Sequence, residues 1–461
     1  MPRTQTVHVC AQCGHQAAKW HGRCPGCEAW NSLVEEVLPA PTAETRGSRR
    51  GGAPRKAGAP QILRDVRAPD IPRLTTGMPE LDRVLGGGLV PGSLVLIGGS
   101  PGIGKSTLTT MACGRLAGAG HSTLYVSGEE SPAQVRLRAQ RLGEGALAVP
   151  VLAETDLDTV LATLDHERPQ VCVIDSVQTL HAAELSGAPG SVGQVREVAE
   201  RITHLAKARD IAVLLVGHVN KEGALAGPRV LEHMVDCVLQ FEGDHERTYR
   251  TLRALKNRFG STNELGVFEM KGEGLVEVAD ASARFMQSAT RAPGSAVLAA
   301  MEGSRPLLVE VQALVSPSEI VPPRRVCSGV DRNRLALVLA VLARHASVAT
   351  GGADVFVNVA GGLRADEPGA DLAVALAVAG AVRGSRLDAA AGAATPACFG
   401  ELGLTGELRA VAAADRRLAE AARFGLTPVI APVGSGAGAG EAGSLRQALA
   451  LALGGPQRAA A

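Results

Sequence analysis

The stretch LIGGSPGIGKST, residues 96–107, passes from apolar residues through a run of glycines to a lysine and two hydroxyls. Gly99, Gly104, Lys105 and Ser106 satisfy G-x-x-x-x-G-K-[ST], and the surroundings fit the pattern: LVLI leads in as a strand and STLTTMACGRLA leads out as a helix. In such a loop, Gly99, Ser100, Pro101, Gly102, Ile103, Gly104, Lys105, Ser106 and Thr107 surround the phosphates of ATP, with backbone N–H groups gathered at a helix N-terminus. Lys105 reaches the β and γ phosphates, and the Ser106 hydroxyl ligates Mg2+. The same loop serves switches, synthases and motors, so it does not by itself say what the nucleotide is spent on.

Outward from the loop, about 62 to 285, the short runs SLVLIGG, TLYVSG, VCVIDS, IAVLLVGH and CVLQFE alternate with longer helical patterns. That alternation predicts an α/β core with a mostly parallel sheet covered by helices on both faces. VCVIDS ends in Asp175, where a carboxylate can hold the magnesium through water. Hydrolysis also needs a group to orient the attacking water, and the residue after Asp175 is Ser176, which cannot do it. TLYVSGEES offers Glu129 and Glu130; both also suit the start of a helix after Ser131 and Pro132, so the residues alone leave the choice open.

Near the N-terminus, Cys10, Cys13, Cys24 and Cys27 form C-x2-C-x10-C-x2-C, two short pairs that can present four thiolates to a tetrahedral zinc ion. Four cysteines leave no open coordination position, so the expected role is structural or recognition, with the metal supplying folding energy to a small ribbon. Cys113, Cys172, Cys237, Cys327 and Cys398 are scattered and read as small buried hydrophobes.

With 461 residues and 46% hydrophobic content, the chain has room for two or three cored domains. A formal net charge of +1 excludes a whole-molecule field for polyanions, and 2% aromatic residues argue against an extended nucleic-acid stacking platform. No apolar run suits a signal peptide or a membrane span, the longest being LAVALAVAGAV at 372–382, so a cytoplasmic protein without membrane partners is expected. The layout reads as a zinc ribbon over 1–35, a flexible basic linker over 36–61, the ATPase core over 62–288 and an α+β domain over 289–461. From about 432 its tail, PVGSGAGAGEAG, is expected to be flexible before a last short helix.

TTGMPELDRVLGGGLVPGSLVLIGGSPGIGKST resembles the opening of a RecA-type ATPase core, and Glu129 matches that group's water-activating glutamate. VGHVNKEGALAGPRVLEHMVD and KNRFGSTNELGVFEM resemble, more specifically, the RadA (Sms) family of bacterial DNA repair proteins, with the zinc motif in front. The resemblance implies a homohexameric ring that translocates on single-stranded DNA and drives branch migration of recombination intermediates alongside RecA. It implies a γ-phosphate sensor at His218 and DNA-channel cations at Lys221 and Arg229. It also gives a DNA-binding or inter-subunit role to Lys256, Asn257, Arg258, Phe259 and Gly260. The C-terminal region resembles the Lon proteolytic domain, but the nucleophile stretch reads Pro368, Gly369, Ala370, Asp371, and the lysine partner falls at Asp415. Without a hydroxyl nucleophile or an amine base there is no route to an acyl-enzyme, so a catalytically inactive scaffold is expected. An ATP-dependent peptidase and a non-motor nucleotide switch of the RecA type are the competing readings.

Overall fold

The apolar, β-branched runs between glycines become strands, and the segments with apolar residues three and four apart become the helices that cover them. The computed structural model describes residues 5–10, 16–26, 28, 30–38, 72–185, 187–217, 230–243, 249–287, 289–290, 292–387 and 396–453. These fall into two units: the first takes residues up to Glu242 with Leu252–Thr262 and Met270–Leu275; the second takes Gly243–Thr251, Asn263–Glu269 and everything from Val276.

At the N-terminal end, β1 (Gln5–Cys10), β2 (Gln16–Ala17) and β3 (Leu33–Leu38) make a small antiparallel sheet in the order β2-β1-β3, with Cys10 opposite Leu33. Among its described side chains the buried cluster is Cys10, Cys24 and Leu33, and a module of this size ordinarily relies on a further crosslink.

The nucleotide-binding core runs α1 (Pro79–Leu85), β4 (Leu94–Gly99), α2 (Lys105–Gly118), β5 (Thr123–Ser127), α3 (Pro132–Leu142), α4 (Glu144–Leu147) and β6 (Val151–Ala153). It continues through α5 (Leu157–Glu167), β7 (Val171–Asp175), α6 (Val192–Arg209), β8 (Ala212–Val216), α7 (Val230–Met234) and β9 (Cys237–Glu242). Strands β9-β4-β8-β7-β5-β6 are parallel neighbours in that order. Beyond β9 the sheet continues through β10 (Tyr249–Asn257), β11 (Leu265–Lys271) and β12 (Gly274–Glu277). Every residue of β4, β5, β7 and β8 is buried, as a sheet covered on both faces requires. α6 supplies part of that cover through Val195, Val198, Ala199, Ile202 and Ala206, an apolar stripe at helical spacing. All five strand candidates of the sequence are strands; β6 and β10–β12, which the apolar runs did not mark, form the two flanks.

The second unit is α+β. After α8 (Ala281–Met286) come the strands β13 (Ser295–Glu302), β14 (Arg305–Pro317) and β15 (Arg325–Ser328), and α9 (Arg332–Ala346) leads from β15 to β16 (Ala353–Val359). Then follow α10 (Asp371–Arg383), β17 (Ala397–Cys398), the hairpin β18 (Glu401–Leu402) and β19 (Leu408–Arg409), and α11 (Ala414–Arg423). Last come β20 (Val429–Pro432), β21 (Ala439–Ala442) and α12 (Leu445–Leu453). The sheet order is β15-β16-β14-β13-β17-β20-β21, mixed in direction. The tail departs from its expected flexibility: Ala439–Ala442 pairs in parallel with Val429–Pro432, and Gly434, Gly436 and Gly438 take the left-handed conformations of the turn that lets it. No helix among the described residues is long and apolar enough to cross a membrane.

Candidate active site

The P-loop follows β4 directly. Gly104 opens α2 with φ 116°, a conformation open to glycine, and a Cβ there would stand 2.7 Å from Met270 Cε. At Gly99 a Cβ would meet the Phe241 carbonyl oxygen at 2.7 Å, so backbone packing also demands glycine at the first motif position. Ser106 and Thr107 lie in the first turn of α2, whose N-terminal N–H groups have no side-chain cap.

Lys105 is buried, and its Nζ donates to the carbonyls of Gly99 (2.8 Å) and Ser100 (3.1 Å). Burial holds its ammonium below the ordinary lysine pKa; the negative charges of Asp175 and then Glu129 work against that shift. Those two carboxylates come from the carboxyl ends of β7 and β5, neighbours in the sheet, so the loop, the candidate magnesium ligand and a candidate water-orienting group share one edge of the sheet, the usual place for ligands in such folds.

The structure separates the two glutamates that the sequence leaves equivalent. Glu129 Oε1 accepts a hydrogen bond from Ser176 Oγ (2.6 Å), beside Asp175, whereas Glu130 is ion-paired with Arg138 of α3. A Cβ on Gly128, before them, would fall 2.0 Å from Thr179 Oγ1, so the chain can make this turn only with glycine there. Asp175 itself is buried and accepts a hydrogen bond from the Tyr125 hydroxyl. Burial, followed by the nearby Asp175 charge, pushes the Tyr125 phenol well above its usual pKa, so it stays a donor. Arg138 Nη2 donates to the same hydroxyl (3.1 Å), completing a chain from Glu130 through Arg138 and Tyr125 to Asp175. A lone tyrosine in an apolar strand carries no sequence signal for this. His218, Lys221 and Arg229 lie outside the described residues.

The KNRFG motif ends β10. Lys256 Nζ donates to the carbonyls of Glu232 (2.9 Å), His233 (3.3 Å) and Val235 (2.8 Å), capping the C-terminal end of α7. Asn257 Nδ2 reaches the carbonyls of Val84 and Leu85, both 3.3 Å, and its Oδ1 accepts from the Phe259 N–H (2.9 Å). Gly260 packs on the backbone of Gly86, where a Cβ would come within 3.1 Å of Gly86 Cα. Arg258 pairs with buried Asp236 (2.9 Å), which in turn accepts from the Leu94 N–H at the start of β4 (3.1 Å). Half of the Arg258 side chain remains in water. The motif thus ties α1, α7 and the P-loop strand together and turns Arg258 and partly exposed Phe259 outward.

In the ribbon, Cys10 and Cys24 are buried side by side. The Gly26 N–H donates to Cys24 Sγ (3.3 Å), and Cys10 Sγ lies 3.2 Å from Ser32 Oγ. Two buried cysteine sulfurs, one of them receiving a backbone N–H, are donor chemistry that fits a structural zinc; Cys13 and Cys27 lie outside the described residues.

In the second unit, Arg417 is 2% exposed. Its guanidinium is paired with Glu367, donates to the carbonyls of Ala299 (2.7 Å) and Ala412 (3.1 Å), and lies over the Phe399 ring. A Cβ on Gly369 would stand 3.1 Å from Arg417 Nη1, so the guanidinium fills the space a side chain at 369 would need. Asp371 is buried at the start of α10, paired with Arg334 and accepting from the Leu402 N–H (3.0 Å).

Residues 63–224 match the AAA domain family, and residues 8–35 match the rubredoxin metal binding domain. The DNA repair protein RadA of Pseudomonas aeruginosa is 50% identical over 436 residues, covering 94% of each chain. Those of Halalkalibacterium halodurans and Bacillus subtilis are 47% and 45% identical over 433 and 434 residues, each covering 94% of this chain and 93% of the relative. Among solved structures, a DnaB-like replicative helicase superposes on 45% of this chain and 62% of its own, with a TM-score of 0.39 and 13% identity.

Proposed function

The chain belongs to the family of DNA repair protein RadA and is an ATP hydrolase; from that premise we propose that it is a DNA-dependent motor of homologous recombination. In this reading a ring of six chains translocates on single-stranded DNA and moves branch points in recombination intermediates alongside RecA. The observation that carries it is the buried Lys105 held under the charges of Asp175 and Glu129 at one sheet edge, in a chain that aligns almost end to end with DNA repair proteins.

Lys105 would exchange its two carbonyl partners for the β and γ phosphates. Ser106 and Asp175 would hold magnesium, which when bound neutralises charge on those phosphates. Tyr125 and Arg138 orient Asp175, and Glu129 accepts the proton of the attacking water. Glu130 is excluded from that task by its pairing with Arg138. Cys10, Cys13, Cys24 and Cys27 would hold a structural zinc. His218, Lys221 and Arg229 keep the sensor and channel roles that the family resemblance implies, and Arg258, half exposed beside Asp236, is the cation of its motif that acts on DNA or a neighbouring subunit, while Lys256 holds the end of α7. Peptidase activity is not expected, because Arg417 fills the space beside Gly369 and neither a hydroxyl nor an amine stands at 369–371 or 415.

The test is ATP turnover of the full chain with and without single-stranded DNA, beside Lys105→Ala. DNA-stimulated turnover that disappears in the variant supports the motor; turnover indifferent to DNA favours a nucleotide switch.

A further inference from the structure

Both tryptophans of the chain belong to the ribbon, and both stand in water: Trp20 is 57% exposed and Trp30 74%. The outer edges of the two indoles converge on Gly22, where a Cβ would lie 3.7 Å from Trp20 Cη2 and 3.8 Å from Trp30 Cζ3. The ribbon's buried cluster, Cys10, Cys24 and Leu33, uses neither ring. A ribbon that leaves its two largest apolar side chains outside that cluster presents a surface made to be covered.

The charge around the rings says by what. Lys19, His21 and Arg23 alternate along the exposed stretch that carries Trp20, with Arg23 paired to Glu28 and donating to its carbonyl (3.0 Å). Immediately after the ribbon, the sequence 39–60 holds Arg46, Arg49, Arg50, Arg55 and Lys56 against a single acid, Glu44. Indole faces beside cations, continued by a basic segment, match the two demands of a single-stranded nucleic acid: a surface for bases to stack on and charge for the backbone. The low aromatic content of the chain excludes a long platform, but two rings serve two bases.

We propose that the ribbon is a second, single-stranded DNA site, in which bases stack on Trp20 and Trp30 while Lys19 holds a phosphate and Arg23 exchanges its exposed Glu28 partner for another. The proposal rests on the reading of this chain as a DNA motor and extends it: the ribbon would grip the strand separately from the ATPase core.

Because no tryptophan lies elsewhere, indole fluorescence of the full zinc-loaded chain reports the ribbon alone. The probe is an oligothymidylate of about 20 nucleotides, with the anisotropy of a dye on the oligonucleotide reporting binding anywhere on the protein. The expected result is quenching that follows the anisotropy, no quenching by an abasic strand of equal length, and about tenfold weaker binding by Trp20→Ala that retains its zinc. Should that variant lose its zinc, the wild-type quenching and the abasic strand decide. A rise in anisotropy without quenching, or equal quenching by the abasic strand, overturns the ribbon site and leaves the motor reading standing. No binding at all overturns both.

Discussion

Replacing Glu129 by glutamine removes one charge and almost no shape. The amide oxygen can still accept the Ser176 hydroxyl that Glu129 Oε1 accepts at 2.6 Å, so the turn after β5 stays in place. What is lost, on the role proposed for Glu129, is a base for the water's proton, worth about 10²- to 10⁴-fold in turnover, or about 2.7–5.4 kcal/mol of barrier. Lys105 also loses one of the two anions that sustain its ammonium, but Asp175, the larger influence, remains, so ATP binding should survive. Glu130→Gln breaks only the partly exposed pair with Arg138, an interaction of about 1 kcal/mol or less, and turnover should stay within about fivefold of wild type. Steady-state hydrolysis measures both effects, and retention of labelled ATP on a filter separates binding from chemistry. A Glu129→Gln chain that hydrolyses normally, beside a dead Glu130→Gln chain, would refute the assignment and with it the inference from Ser176 and Arg138.

Arg258→Ala should retain ATP binding, since Asp236 still receives the Leu94 N–H, yet lose DNA stimulation of turnover; unchanged stimulation in a DNA titration would remove the motif from the motor. Arg417→Met leaves the partly buried Glu367 carboxylate with the Met301 N–H but without its guanidinium, and should lower unfolding free energy by about 1.5–3 kcal/mol, read by chemical denaturation, with Glu367→Gln in the same chain restoring part of it. The Asp280 carboxyl is held at about 2, below its usual 3.8, chiefly by hydrogen bonds from Arg423. A depressed folded pKa contributes stability above about pH 4 that is lost as the pH falls toward 2. Asp280→Asn should therefore flatten the pH dependence of unfolding in that window, and an unaltered curve would contradict the pairing.

The parts legible in the sequence are those whose causes are local. Strand, glycine turn and helix follow one another around residues 94–118, so the P-loop is complete in one window, and Asp175 ends an apolar run. Glu129 and Glu130 are adjacent and chemically alike; what separates them is Ser176, 47 residues on, and Arg138 on the next helix, and no local pattern encodes that. Tyr125 reads as core because its ring is core; only its hydroxyl reaches Asp175. KNRFG announces two cations, but that Lys256 spends its ammonium on the end of α7 depends on where a sheet flank meets a helix. The tail misled for the opposite reason: PVGSGAGAGEAG has a linker's composition, yet its glycines supply the turn conformations that bring Ala439–Ala442 onto β20.

The most direct measurement is displacement of a strand from a branched DNA by the purified chain, with ATP or with a non-hydrolysable analogue. A motor extends the heteroduplex with ATP, stops with the analogue and stops in Glu129→Gln, which still binds the nucleotide. Equal displacement with the analogue, or none with ATP while DNA still accelerates hydrolysis, would contradict the claim that hydrolysis at the P-loop is spent on moving DNA.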